Sequence, residues 1–158
     1  MNHHIRPARL EDLDQILEIY SQARKFMAEN GNPTQWAADY PSRQMLSEDI
    51  QWGHLYVVED QGICGVFCFI IGIDPTYGYI EGAWASDSPY GTIHRIASVG
   101  GGVFGDVLTF CRSLIDHIRI DTHRDNAPMR HLVAKHGFTQ RGIIYVADGT
   151  PRIAFDLQ

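Results

Sequence analysis

Gly100, Gly102 and Gly105 form the spacing Gly-x-Gly-x-x-Gly, with Gly101 as a further glycine between the first two. They follow an apolar run, Ile93–Val99, and lead into Val107, Leu108, Cys111, Leu114, Ile115 and Ile118, which recur at helical period. Strand, glycine loop and helix together make a cradle for phosphate. Glycine lets the backbone come close to a ligand, and a helix N-terminus adds partial positive charge. No lysine or arginine lies between Val99 and Cys111, so backbone dipoles rather than side-chain charge would hold a phosphate there. Two side chains nearby could move protons. His94 sits inside the apolar run and titrates in a useful range, although it could equally be a core histidine bonded to a carbonyl. Glu81 lies between Tyr79 and Trp84, where burial beside aromatics would raise its pKa toward that of a general base. Its plain alternative is a solvated glutamate on a strand edge.

The glycine spacing also matches the dinucleotide-binding pattern, and Asp121 closes the next apolar strand, where it could meet a ribose hydroxyl. Three features weigh against that reading. At least three strands and a helix precede the loop, a hairpin rather than further parallel units ends the chain, and there is no room for a substrate domain.

The elements that must position these residues are legible in order. Ile5 marks a short edge strand stopped by Pro7. Leu10 to about Met27 is a helix with Leu13, Ile16, Leu17 and Tyr20 on one face. Asn30-Gly31-Asn32-Pro33 breaks it. Trp36 follows with Gln35 and Tyr40 and lines a substrate mouth or plugs the end of the core. Ser42 to about Gln51 is a second helix. His54–Glu59 and Ile63–Ile73 make a meander, with Cys64 and Cys68 spaced for one face of a straight strand. Tyr77–Trp84 is weakly strand-like. Arg119–Thr122 reads as a strand parallel to the one at Ile93, joined to it by the helix crossover. Asn126 caps another helix, with Pro128 in its first turn and Gly137 at its end. Phe138–Val146 and Arg152–Leu157 form a terminal hairpin. The sequence therefore predicts one mixed α/β domain over residues 1–158.

Composition agrees. The chain has 158 residues, is 44% hydrophobic and 20% charged, and carries a net charge of -6, which fits one soluble globular domain. An acidic balance argues against nucleic acid and anionic membrane as partners. There is no apolar run of membrane-spanning length and no signal peptide at the start, and free Cys64, Cys68 and Cys111 fit a reducing cytoplasm. His117, His123, His131 and His136 are not spaced as a ligand set, so no metal site is expected.

The order of elements resembles that of the GNAT superfamily of acyl-CoA-dependent N-acetyltransferases over nearly the whole chain. The most specific parts are Ile93-His94-Arg95-Ile96-Ala97-Ser98, the run Ile118-Arg119-Ile120-Asp121-Thr122-His123-Arg124-Asp125-Asn126-Ala127-Pro128-Met129, and Lys135-His136-Gly137-Phe138 followed by Arg141-Gly142-Ile143-Ile144-Tyr145. The resemblance implies a mixed, mostly antiparallel sheet with a central splayed parallel strand pair, flanked by helices. It implies acetyl-CoA as co-substrate, with its pyrophosphate on Gly100, Gly101, Gly102, Val103, Phe104 and Gly105. Pantetheine would thread the splay past Ile96, Ala97 and Ser98, with Asn126 and Met129 beside it. Two loop positions depart from the family's habit: Val99 stands where Gln or Arg is usual, and Phe104 stands where a small residue is usual. Val133 occupies the place of a tyrosine that often protonates the leaving thiolate.

Amine acylation needs a proton acceptor for the ammonium and a donor for the thioester carbonyl. Glu81 and His94 are the candidate bases, a backbone N–H near Ala97 or Ser98 is the candidate donor, and Tyr145 is a replacement acid if it faces the gap. Trp36, Glu81 and Trp84 are candidate acceptor contacts. The implied acceptor is a primary amine on a small molecule, amino acid or peptide N-terminus, with a homodimer as family habit. Because of the loop departures and the missing tyrosine, a catalytically weak or inactive acyl-CoA-binding or interaction module stands as the alternative.

Overall fold

The computed structural model describes residues 3–158. Its strands are β1 (His4–Pro7), β2 (Leu55–Glu59), β3 (Ile63–Ile71), β4 (Glu81–Gly82), β5 (Gly91–Ser98), β6 (Ile118–Thr122), β7 (Thr139–Tyr145) and β8 (Pro151–Leu157). Its helices are α1 (Leu13–Glu29), α2 (Arg43–Gln51), α3 (Phe104–Leu114) and α4 (Ala127–Lys135). Among the described residues the strands form one eight-stranded sheet, in the order β1-β2-β3-β5-β6-β8-β7-β4. Every pairing is antiparallel except β5 with β6. That parallel pair is in register only at Gly91 with Ile118 and Thr92 with Arg119, and beyond these residues the two strands part. This is the mixed, mostly antiparallel sheet with a splayed central pair that the resemblance implies.

Alternation along the strands sends side chains to two layers. Leu13, Ile16, Ile19 and Tyr20 of α1 and Leu46 of α2 pack with Leu55, Val57, Val66, Cys68 and Ala97 on one face. Val107, Leu108 and Cys111 of α3 and Val133 of α4 pack with Phe67, Phe69, Ile93, Ile118, Ile120 and Phe155 on the other. Ser42 starts α2 by accepting the Met45 N–H at 3.1 Å, and Asn126 starts α4 by accepting the Met129 N–H at 3.2 Å.

β5 is not regular. Val66 pairs with Ala97 and Cys68 with His94, which leaves Arg95 and Ile96 together opposite Phe67. This is a β-bulge, and Arg95 takes a φ of 50° to make it. Tyr20 Oη donates to the Arg95 carbonyl at 2.7 Å, and the Arg95 guanidinium pairs with Asp49 of α2. Carbonyl and following N–H point opposite ways across a trans peptide, so the Tyr20 bond turns the Ile96 N–H away from α1.

Four expectations are corrected. The helical stripe stops at Leu114: Ile115 is extended and Ile118 is drawn into the sheet between Gly91 and Leu157. The first helix opens with a 3₁₀ turn, Leu10–Asp12, and runs on to Glu29. Tyr77–Trp84 is not a strand of that length. Asp74 caps a 3₁₀ turn, Pro75–Tyr77, and only Glu81–Gly82 pairs with β7. Cys64 and Cys68 do not share a face. Val58 pairs with Gly65 and Glu59 with Ile63, so Cys64 is an extra residue in a bulge and the parity flips there. Cys64 packs with the α3–α4 layer and Cys68 with the α1–α2 layer.

Gly91 sits at the root of the splay. A Cβ there would lie 2.3 Å from Phe69 Cζ and 3.2 Å from Ile115 Cγ2, and the Phe69 ring is itself in the core. Gly91→Ala is expected to destabilise the fold by about 1–3 kcal/mol, read as a lowered urea midpoint; an unchanged midpoint would show that Phe69 has room to move.

Candidate active site

Where β5 and β6 part, a cleft of about 440 Å³ opens between them. Ile93–Ile96 form one wall and Ile120–Thr122 the other. Gln35, Trp36 and Tyr40 cross it from the α1–α2 segment, Asn126 and Met129 reach it from the start of α4, and Val146–Asp148 and Arg152 close it from the terminal hairpin. The crossing segment is tied down on the far side. Gln35 Oε1 accepts from Asn126 Nδ2 at 3.0 Å, and the Gln35 carbonyl accepts from Arg152 at 3.1 Å.

Beyond β5 the chain makes the glycine turn. Gly100, Gly101 and Gly102 take φ values of 81°, 69° and 78°, which a side chain would strain. α3 begins immediately after, and its cap residue, Val103, gives no side-chain bond to the first-turn N–H groups. Those donors are left for a ligand. Phe104, the bulky departure in the loop, turns inward: it is buried, stacked edge-on against His136 at 5.1 Å and packed against Phe138 at 6.2 Å.

The proton-transfer candidates separate. His94 lines the cleft, and its Nε2 stands 3.2 Å from Asp74 Oδ2. Asp74 Oδ1 accepts the Thr76 N–H at 2.9 Å and the Thr76 hydroxyl at 2.7 Å. Burial opposes ionisation of Asp74, but the His94 contact and the Thr76 donors outweigh it, and its pKa lies below the ordinary carboxylate value. Glu81, by contrast, is exposed on the edge strand β4, not buried beside aromatics as its neighbours in sequence suggest. Its carboxylate accepts from Tyr145 Oη at 2.8 Å, and neither residue lines the cleft. Trp84 also lies outside it: its Nε1 donates to the Tyr77 carbonyl at 3.0 Å, and its ring faces the Arg119 guanidinium. Trp36, Ile96, Asn126 and Met129 do line the cleft, while Ala97 and Ser98 continue β5 beyond it, paired with Val66 and Gly65. Val133 is fully buried in the α3–α4 core.

Sequence reasoning passes over three cleft residues. Asp74 reads as a turn former before Pro75, Asp121 as a ribose ligand, and Arg152 only as the start of a strand. Asp121 accepts from Tyr77 Oη at 2.7 Å; burial pushes its carboxyl above the ordinary range, and the Tyr77 bond offsets this only in part. The Thr122 hydroxyl is buried and has no partner among the described residues. The signal available was the pattern itself: Arg119, Asp121 and Thr122 interrupt an apolar strand that has little surface to spend on polar groups.

Solved structures match this fold closely. A GNAT-family acetyltransferase from Streptococcus agalactiae 2603 is 32% identical, with 98% of this chain and 94% of that one covered at a TM-score of 0.85. A GNAT-family acetyltransferase from Listeria monocytogenes 4b F2365 is 17% identical, with 98% and 93% covered at 0.69. A NatC complex bound to Gag peptide and CoA is 14% identical, with 99% and 98% covered at 0.61. The last two share the fold alone. No protein-family model and no curated protein sequence matches the chain.

Asp121 gives a pH signature. Its folded-state pKa is raised above the unfolded value of about 3.9. Below both values the group is neutral in both states and has no effect. As pH rises past about 4 the unfolded chain ionises first and the native state holds more protons, so stability falls until the folded value is passed. Asp121→Asn removes this slope and keeps an acceptor for Tyr77. Urea unfolding from pH 3 to 8 should show the variant gaining on the parent over that window and running parallel above it; a pH-independent difference would mean that Asp121 ionises as freely as in the unfolded chain.

Proposed function

The chain belongs to the GNAT family of acetyltransferases, and on that premise we propose that it moves an acetyl group from acetyl-CoA to a primary amine by direct attack within the cleft. One observation carries the reading: the parallel pair opens, just past Thr92, into a cleft with the His94–Asp74 pair on its wall, and β5, which forms that wall, runs on into the uncapped glycine turn. The turn suits a pyrophosphate. Its glycines leave room for close approach, the first N–H groups of α3 have no side-chain partner, and Phe104 is withdrawn into the core. Met129 and the unpartnered Thr122 hydroxyl border the path that pantetheine would take. Acetyl-CoA supplies an activated acyl group and a thiol leaving group.

The chain's own residues supply the rest. With Nε2–H directed at Asp74, His94 Nδ1 keeps a lone pair that takes the proton from the ammonium, directly or through one water. Asp74, held ionised, fixes that tautomer and stabilises the imidazolium. The Ile96 N–H, turned from α1 by the Tyr20 bond, donates to the acetyl carbonyl as charge develops on its oxygen. A thiol of ordinary pKa, about 8.5, leaves as the thiolate, so buried Val133 in place of a tyrosine is no obstacle. Trp36 and Tyr40 cover the mouth, where the amine would enter. On this reading residues 1–158 form one catalytic domain acting in the cytoplasm on a small-molecule amine, an amino acid or a peptide N-terminus. No helix among the described residues is long and apolar enough to cross a membrane.

Calorimetric titration with acetyl-CoA tests the loop. Binding is expected, and Gly102→Asp should abolish it, since the new carboxylate meets the phosphates; no binding by the parent chain would favour a non-catalytic interaction module. Thiol release with an amine panel tests the base. His94→Gln should lower kcat by about 10²–10⁴-fold, whereas Glu81→Gln, outside the cleft, should stay within a few-fold of the parent. Full activity of His94→Gln would remove the assignment.

A further inference from the structure

The buried and half-buried arginines differ in how they are paired. The side chains of Arg6, Arg95 and Arg141 each face a carboxylate: Asp12 and Glu59, Asp49, and Asp156 respectively. Arg119, which is buried more deeply, lies between the Trp84 and Tyr90 rings, its guanidinium carbon 3.9 Å from each centroid. Arg152 is 8% exposed and has neither. It donates to the Thr150 hydroxyl at 3.0 Å and to the Pro151 and Gln35 carbonyls at 2.9 and 3.1 Å, all of them neutral. Among the described residues it forms no ion pair. With Asp121 and Asp148 nearby but not bonded to it, this guanidinium spends three of its N–H groups on neutral acceptors and keeps others for an anionic ligand, and it lines the cleft.

The anion has a side. Along β8, Ile153 and Phe155 point into the α3–α4 layer, while Ala154 points the other way, and Arg152 shares its parity with Ala154. His94 lies across the cleft, with Ile93 on the α3–α4 side and the next residue facing α1. The glycine turn belongs to α3, in the opposite layer. Arg152 therefore stands with the acceptor and not with the phosphates.

Resting on the acetyltransferase reading above, we infer that the acceptor is an amine that also carries a carboxylate, with its amine at His94–Asp74 and its carboxylate on the Arg152 guanidinium. Amino acids are the chemical class. A polycationic acceptor would need carboxylates to spare, and the cleft has few. Asp74 spends one oxygen on Thr76 and the other on His94, and Asp148 spends Oδ1 on the Thr150 N–H and hydroxyl. Asp121 is bonded to Tyr77, and burial favours its protonated form. The guanidinium fork matches a carboxylate in a way that an ammonium does not.

Thiol release from acetyl-CoA, measured with the free amino acids, their carboxamides and a set of linear diamines, tests this. The carboxamide keeps the primary amine and deletes the anion; its amine is also less basic, which by itself favours the amide, so a preference for the acid reports on the carboxylate. Free acids should exceed their carboxamides in kcat/KM by roughly 10- to 100-fold, mostly through KM, and Arg152→Gln should erase that ratio. Arg152→Lys should keep part of it, which a purely structural role in holding Gln35 would not explain. Because the acid-to-amide ratio is measured on the parent chain, it stands even if a variant unfolds. Carboxamides or diamines preferred, or no acid accepted by a chain that binds acetyl-CoA, would overturn the carboxylate assignment alone. Failure to bind acetyl-CoA at all would overturn the acetyltransferase reading and this inference with it.

Discussion

The bulge at Arg95 and Ile96 is the constraint on which the rest of the structure depends. A non-glycine residue at a φ of 50° is held against a preference worth about 1–3 kcal/mol, so its surroundings must over-determine it. They do so from two helices. Tyr20 of α1 bonds the carbonyl, and Asp49 of α2 pairs with the guanidinium. Both contacts are shielded from water, where a hydrogen bond or ion pair left unmade costs more than one made contributes. The α1–α2 layer is thus more than a cover for apolar strands. It fixes one peptide plane, and that plane decides where the Ile96 N–H points.

The bulge sits where the sheet divides its labour. β5 and β6 pair only as far as Thr92 and Arg119, and just beyond, the extra residue at Arg95 and Ile96 turns β5 relative to β3. The resulting gap is open to both layers. On the α3 side, β5 runs on past the gap into the glycine turn, with no lysine or arginine between Val99 and Cys111. On the α1 side it meets His94, Asp74, Asp121 and Arg152, a set with both signs of charge. A thioester lying in the gap would present its carbonyl to the bulge and its acyl carbon to the amine side.

The local parts of this arrangement were legible in the sequence. The glycine turn, the crossover that makes β5 and β6 parallel, and the Asn126 cap are each set by residues within a few positions of one another. Misread residues are those whose role is fixed at a distance. Glu81 has aromatic neighbours in sequence, but β4 pairs only with β7 at the sheet edge, so it meets Tyr145 and solvent. Asp74 announces a turn before Pro75, and it does cap that turn, yet its second oxygen reaches His94 twenty residues on. The Cys64–Cys68 spacing implies one face only for a straight strand, and the bulge at Cys64 shows only in the pairing of β3 with β2. Parity and edge position are properties of pairing, and a single strand does not carry them.

Phe104 is a departure from the family's usual small residue whose bulk is withdrawn from the turn. A small residue at that place keeps side-chain bulk away from a phosphate. Here the same end is reached by direction rather than size, because the ring is buried between His136 and Phe138 and only its backbone borders the turn. The ring in turn anchors the first residue of α3 in the core, which fixes the helix axis behind the glycines. Three successive glycines on the other side supply the positive φ values that let the chain double back. The turn is therefore flexible by composition but clamped at the end where the helix begins. What it offers a phosphate is a set of N–H groups whose direction is set by packing of Phe104, Val107 and Leu108, not by a charged side chain that would have to be ordered on binding.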